Sequence, residues 1–229
     1  MSFKEDITKK IPKDWTTYKL SDCSNKITDG THSTVKDNPE GEYFLLSCKN
    51  IKDGNIILGN KERKINEETL LKLRKRTGLQ KGDILLTTVG TIGETALIKE
   101  KEVKYELQRS VAIIRPDINK IRAEFMYYLT KDVYFNAQVE SMKEGSVKKC
   151  LFLKNISNIV VQSPPIKEQK KISELLLSID NKIEINNKIN QRLEEMAQAI
   201  FKHWFVDFEF PNEEGKAYKI GRASCRERV

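Results

Sequence analysis

The sequence is short of the residues that mark several functional classes. Its four cysteines, Cys23, Cys48, Cys150 and Cys225, lie far apart and form no C-x-x-C pair. In a chain of 229 residues they read as free thiols in a reducing cytoplasm, not as a disulfide frame or a zinc site. Two histidines, His32 and His203, are too few for a His-rich metal centre. No run approaches the roughly 18 consecutive apolar residues of a membrane span. The opening Met1-Ser2-Phe3-Lys4-Glu5-Asp6 lacks the apolar stretch of a signal peptide. A cytoplasmic protein with no membrane contact is the expectation. A G-x-x-x-x-G-K-S/T phosphate loop is missing, which argues against ATP hydrolysis, and so is a G-x-S-x-G nucleophile elbow. Gly90-x-x-Gly93 is too short for a dinucleotide fingerprint and lies between strand-like runs, so it reads as a tight turn.

What is present is enough for a folded core: 38% of the residues are hydrophobic, too many for a disordered chain. The net charge is +8, but Lys216, Lys219, Arg222, Arg226 and Arg228 against Glu227 place half of it in the last fourteen residues. The body carries only the other half, an ordinary value that allows a nucleic-acid partner without requiring one.

Three segments follow one another. Residues up to 166 read as a mixed globular domain, opened by the turn Ile11-Pro12-Lys13-Asp14-Trp15. Strand-like runs stand at Tyr43–Leu46, Ile56–Leu58, Ile84–Val89, Thr95–Ile98, Val111–Ile114 and Ile159–Val161, separated by turn residues such as Asp53-Gly54. A helix is predicted from Glu67 to Arg76, with Asn66 as N-cap, acids in its first turn, bases in its last, and Gly78 as its stop. A second is predicted from Ala123 to Met142, with Phe125, Leu129, Val133 and Val139 on one buried face.

Residues 167–210 are different, with no Gly or Pro between Pro165 and Pro211. One heptad register threads the stretch. Ile172, Ile179, Asn186, Leu193 and Ile200 take d positions; Leu176, Ile183, Asn190, Ala197 and Trp204 take a positions. A two-position seam of this length fits a coiled-coil helix, about 60 Å for forty residues at 1.5 Å each. A core helix of a bundle is the plainer alternative. Asn186 and Asn190 interrupt the seam where buried amides would fix register and strand number. Trp204, Phe205, Phe208 and Phe210 gather at its end as a packing cluster. The fold class is therefore α+β, a mixed globular domain followed by a long coiled-coil-type α-helix. Residues 211–229 lose this periodicity and read as a linker followed by a tail, Gly221–Val229, foreign to the protein.

Two catalytic lookalikes fall short. Ser163-Pro164-Pro165-Ile166 has the Pro-Pro of amino-methyltransferase motifs. It lacks the amide or carboxylate that would hold the base's amine, and the aromatic ring that would stack on it. Asp83 with Glu102 and Lys104 has the acidic pattern of metal-dependent nucleases, but Glu102 lies in a mixed-charge run that reads as a solvated hairpin tip. The stronger candidates face nucleic acid. Thr31 and His32 lie in a polar loop, Lys75 and Arg76 close the first helix, and Thr91 sits in the Gly90–Gly93 turn. Gln108 and Arg109 precede a strand, and Lys148 and Lys149 follow Gly145. Arg and Gln can read base edges through paired hydrogen bonds, whereas Lys mostly neutralises phosphate. Each cluster taken alone also fits an ordinary solvated surface.

Longer motifs carry a resemblance. They are Asp29-Gly30-Thr31-His32, Phe44 to Gly54, Arg76 to Gly93, Gln108-Arg109-Ser110-Val111-Ala112, Pro164-Pro165-Ile166-Lys167-Glu168-Gln169 and the run Ile179 to Phe208. Over about residues 11–215 the chain resembles the DNA-specificity subunit of Type I restriction–modification systems. Members carry a target-recognition domain followed by a long helix, usually twice. The resemblance implies a DNA-binding, non-catalytic chain in which residues 1–166 read one half of a split site in double-stranded DNA. Residues 167–210 would be the spacer, dimerisation and docking helix. It implies partners too: methyltransferase subunits using S-adenosylmethionine, and a restriction motor subunit using ATP and Mg, with no cofactor in this chain. Only one recognition domain and one helix are present. Either a native half-subunit forms a homodimer through the seam, or the chain is a front half cut short; the second is the favoured expectation. A stand-alone nuclease and a coiled-coil interaction protein without a DNA role remain the alternatives.

Overall fold

The structure is a computed structural model and describes residues 12–59, 61–145, 149–207, 209–211, 215 and 217–219. The chain divides into two compact units, one up to Glu174 and one from Leu175.

At the centre of the first unit is a four-stranded antiparallel sheet. Its strands are β2 (Ser24–Asp29), β10 (Val111–Pro116), β7 (Ile84–Thr87) and β8 (Thr95–Leu97), in that spatial order. Successive residues of β7 and β10 point to opposite faces, and both faces are covered. Ile84, Leu86, Ala112 and Ile114 join Leu97, Phe125, Phe135, Ile156 and Val161 on one side. Leu85, Val111 and Ile113 join Leu46, Ile51, Leu79 and Leu107 on the other. This is why the two strands read as continuous apolar runs with no alternation. A three-stranded sheet lies beside it: β3 (Tyr43–Leu46) runs antiparallel to β6 (Lys64–Ile65) and parallel to β9 (Tyr105–Leu107). Two further pairs are β1 (Thr16–Lys19) with β11 (Val160–Ser163), and the short hairpin β4 (Ile51–Lys52) with β5 (Asn55–Ile56).

Helix α1 (Glu67–Thr77) begins and ends as its sequence dictates. Asn66 accepts from the Thr69 amide at 2.9 Å, and Gly78 adopts φ 59° while its amide bonds the Arg74 carbonyl. The helix expected over Ala123–Met142 is in fact two, α2 (Ala123–Leu129) and α3 (Val133–Ser141). Two side chains break it. Thr130 turns its hydroxyl onto the Tyr127 carbonyl and the Thr95 hydroxyl. Asp132 then caps α3 by accepting from the Tyr134 amide. The expected common face breaks with it: Phe125 and Val139 are buried, but Val133 is 69% exposed. The run Ile56–Leu58 is also shorter than expected, with Ile57 and Leu58 exposed beyond β5. Helix α4 (Leu153–Ser157) completes the unit.

Helix α5 runs unbroken from Ile166 to Phe201, 36 residues, and ends in a π-type turn at Lys202–Val206. Its first turns belong to the first unit. The Gln169 side chain, 1% exposed, accepts from the Arg122 amide at 2.8 Å and donates to the Lys120 and Pro164 carbonyls at 3.0 and 2.9 Å. Every hydrogen-bonding direction but one is used, and Ile172 packs against the core beside it. Gln169→Ala leaves one buried donor and two carbonyls without this partner. The expected result is a loss of about 2–4 kcal/mol, read as a lower urea midpoint at unchanged slope.

In the second unit, Leu175, Ile179, Ile183, Ile189, Leu193 and Ile200 are 48–64% exposed along α5, and Trp204 in the turn after it is 39% exposed. Asn186, Asn190 and Ala197 of the seam are exposed as well, and Leu176 is half-buried. Surface pairs such as Gln191 with Glu195, 2.9 Å apart, lace the helix. A two-stranded ribbon, β12 (Glu209–Pro211) with β13 (Ala217–Lys219), follows where no strand was expected. Phe208 and Gly221–Val229 lie outside the described residues. Among the described residues, no helix is long and apolar enough to cross a membrane.

Candidate nucleic-acid interface

The antiparallel register of the central sheet brings four chain segments to one end: the exit of β2 at Asp29, the exit of β7 at Thr87, the start of β8 at Thr95 and the start of β10 at Val111. Strands β3 and β9 run parallel, so their exits at Leu46 and Leu107 also lie together. The loops that leave these strands are tied to one another by backbone groups. The Thr31 amide donates to the Leu107 carbonyl at 2.7 Å, the Arg109 amide to the Thr31 carbonyl at 3.0 Å and the Gln108 amide to the Leu46 carbonyl at 2.8 Å. The Ser110 hydroxyl accepts from the Cys48 amide, and the Thr88 amide donates to the Ser110 carbonyl. The Leu151 amide donates to the Thr88 carbonyl, which brings in the segment that carries Lys149.

Thr31, Gln108 and Arg109 therefore form one joined surface, with His32 next to Thr31 and Thr91 in the β7–β8 turn. The Thr91 hydroxyl reaches the Cys48 carbonyl at 3.5 Å. Lys148 lies outside the described residues. Gly30 is what lets the loops approach: a Cβ there would stand 2.1 Å from the Leu107 carbonyl oxygen and 2.3 Å from that of Gln108. Gly30 sits at the centre of the Asp29–His32 motif, where nothing in the local sequence announces this close approach.

The candidate side chains differ in what they already hold. The exposed Arg109 guanidinium and the half-buried Gln108 amide have no hydrogen-bond partner among the described residues, and neither do the exposed ammonium groups of Lys75 and Lys149. Arg76 is committed. It donates to the Asp29 carbonyl at 2.7 Å, to the Gly30 carbonyl, and to Asp29 Oδ1 at 3.3 Å. Asp29 Oδ2 lies 2.6 Å from His32 Nε2.

Two ion pairs with fully buried carboxylates and partly exposed arginines lie elsewhere in the same unit. Glu106, fully buried, accepts from Arg74 and from the Thr77 hydroxyl. Burial lifts its carboxyl above the usual range, opposed by those donors. Asp83, also fully buried, meets Arg115 through both oxygens at 2.7 Å and accepts from the Gln80 amide. Three of its roughly four acceptor sites are thus spent on the fold, while Glu102 and Lys104 are exposed. Among the described residues no three His, Cys, Asp or Glu side chains stand together as a metal site.

The sequence profile of the Type I restriction modification DNA specificity domain matches residues 12–195. The type I restriction enzyme MjaIX specificity subunit of Methanocaldococcus jannaschii is 33% identical over 215 residues, 93% of this chain and 49% of that protein. The EcoBI specificity subunit of Escherichia coli is 32% identical over 204 residues, 85% of this chain and 42% of that one. The chain thus spans about half the length of the curated relatives it matches. In fold it is similar to the HsdS subunit from Thermoanaerobacter tengcongensis. The TM-score is 0.55 at 14% identity, covering 92% of this chain and 53% of that one. With its profile match running from the first strand through most of the long helix, this chain belongs to the Type I restriction modification DNA specificity domain family.

Proposed function

We propose that the first unit reads one half of a bipartite site in double-stranded DNA and performs no chemistry itself. The observation that carries this is the joined loop surface at one end of the sheet, with the Arg109 guanidinium and Gln108 amide left without hydrogen-bond partners among the described residues. These two are the groups suited to base edges, and each good bidentate pair discriminates by about 1–3 kcal/mol. Lys75 and Lys149, with Lys148 beside it in sequence, supply charge that releases counterions from the phosphates without reading sequence. The exposed seam of α5 is the docking face in this reading. It takes a second helix of the same kind, on a second copy or on the other half of a longer subunit. The complex so formed contains methyltransferase subunits using S-adenosylmethionine and a motor subunit using ATP and Mg. A stiff helix between two reading heads demands a set spacing between half-sites.

The test selects duplexes bound by the pure chain from a random pool, then measures affinity against salt. Arg109→Ala is expected to lower the preference for selected over random duplex about tenfold or more, the worth of one bidentate contact. Lys149→Ala is expected to weaken both duplexes alike and to reduce the salt slope by about 1. Unchanged preference in Arg109→Ala, or binding indifferent to salt, overturns the proposal.

A further inference from the structure

We infer that Arg76 and Asp29 are positioning residues: together they hold the His32 loop against the Gln108–Arg109 loop, and Arg76 does not itself contact DNA. The inference builds on the reading of that end of the sheet as the DNA-facing surface, but its geometry stands within the chain alone.

Arg76 sits in the last turn of α1, and that end of the helix is held from two strands. Lys26 of β2 donates to the Arg76 and Thr77 carbonyls at 2.6 and 2.9 Å. Arg115 of β10 donates to the Gly78 carbonyl at 2.7 Å. From this fixed base the guanidinium reaches across to three acceptors of a single turn: the carbonyls of Asp29 and Gly30, and the Asp29 carboxylate. The second carboxylate oxygen holds the His32 ring. One acidic group thus couples a helix end to the exposed imidazole, and its charge offsets that of Arg76. On its other side the same turn is bonded to the strand ends, Gly30 amide to Val111 carbonyl and Thr31 amide to Leu107 carbonyl. Three segments far apart in sequence are so closed into one rigid piece.

The chemistry separates this role from a phosphate contact. A planar fork that satisfies two carbonyls and a carboxylate at fixed angles is not replaced by a point charge, whereas a phosphate contact largely is. Arg76→Lys therefore decides between them. If Arg76 is a clamp, Arg76→Lys behaves like Arg76→Ala. Amide exchange at Gly30, Thr31 and Arg109 rises by about tenfold or more as the loop opens locally. Preference for selected over random duplex falls while the salt slope holds. If lysine restores both preference and exchange protection, or if alanine leaves exchange unchanged and cuts the salt slope by about 1, the inference is wrong. Asp29→Asn keeps the side chain's size and removes its charge, and serves should the Arg76 variants fail to fold. It is expected to speed exchange at Thr31 and Arg109 with the rest of the unit protected, and unchanged exchange overturns the inference there too. Because exchange is read without DNA, a chain that binds no duplex defeats the proposed function and leaves this test intact.

Discussion

Replacing Gly30 by alanine is expected to cost the first unit about 2–4 kcal/mol and to erase its preference for a selected duplex. The added Cβ would lie 2.1 Å from the Leu107 carbonyl oxygen, a separation no real contact tolerates. The obstacle is backbone of β9 and its exit, so no side chain can swing aside. Instead the Asp29–Thr34 loop must lift. It would give up the Gly30–Val111, Thr31–Leu107 and Arg109–Thr31 hydrogen bonds, each contributing about 0.5–1.5 kcal/mol. Urea denaturation measures the first effect, and competition between selected and random duplex the second. A variant with the wild-type midpoint would mean that the loops do not pack this closely.

Removing the Asp83 carboxylate is the other large change. Asp83→Ala leaves the partly exposed Arg115 guanidinium and the Gln80 amide without their carboxylate, and breaking one partner of a buried pair costs at most about 3–5 kcal/mol. Glu102→Ala, at an exposed position, is expected to stay within about 0.5 kcal/mol of wild type. The contrast in denaturation midpoints tests the structural role of Asp83. Incubation of the chain with duplex and Mg²⁺ supplies the functional arm. Cleavage by the wild type that disappears in Glu102→Ala would restore the nuclease reading.

Features written locally were legible in the sequence. Asn66 and Gly78 bracket α1 because caps act within one turn of their own position. The long helix was legible because a heptad pattern without Gly or Pro leaves the backbone few alternatives. What was missed depends on contacts between remote residues. The break between α2 and α3 needs Thr95 opposite Thr130, 35 positions apart. Strand β2, Ser24-Asn25-Lys26-Ile27-Thr28-Asp29, is an edge strand with half-exposed residues, so it carries no run of apolar side chains to announce it. The same limit applies to the interface. Residue types pointed to Arg76 and Arg109 alike. Only the fold sets Arg76 beside Asp29, 47 positions away, and leaves Arg109 outward.

The two-sided burial of β7 and β10 has a consequence for how the chain finds its own alignment. A strand greasy on both sides carries no phase: sliding it by one residue still buries hydrocarbon on each face. Selection among the slipped pairings falls to the polar pins at the two ends, Asp83 against Arg115 below and Thr88 against Ser110 above. Move β7 one step and Asp83 faces Ile114 or Pro116, leaving the Arg115 guanidinium without its carboxylate. Those pins are the vernier marks of the sheet, and the loops at its end sit in line when the pins are matched.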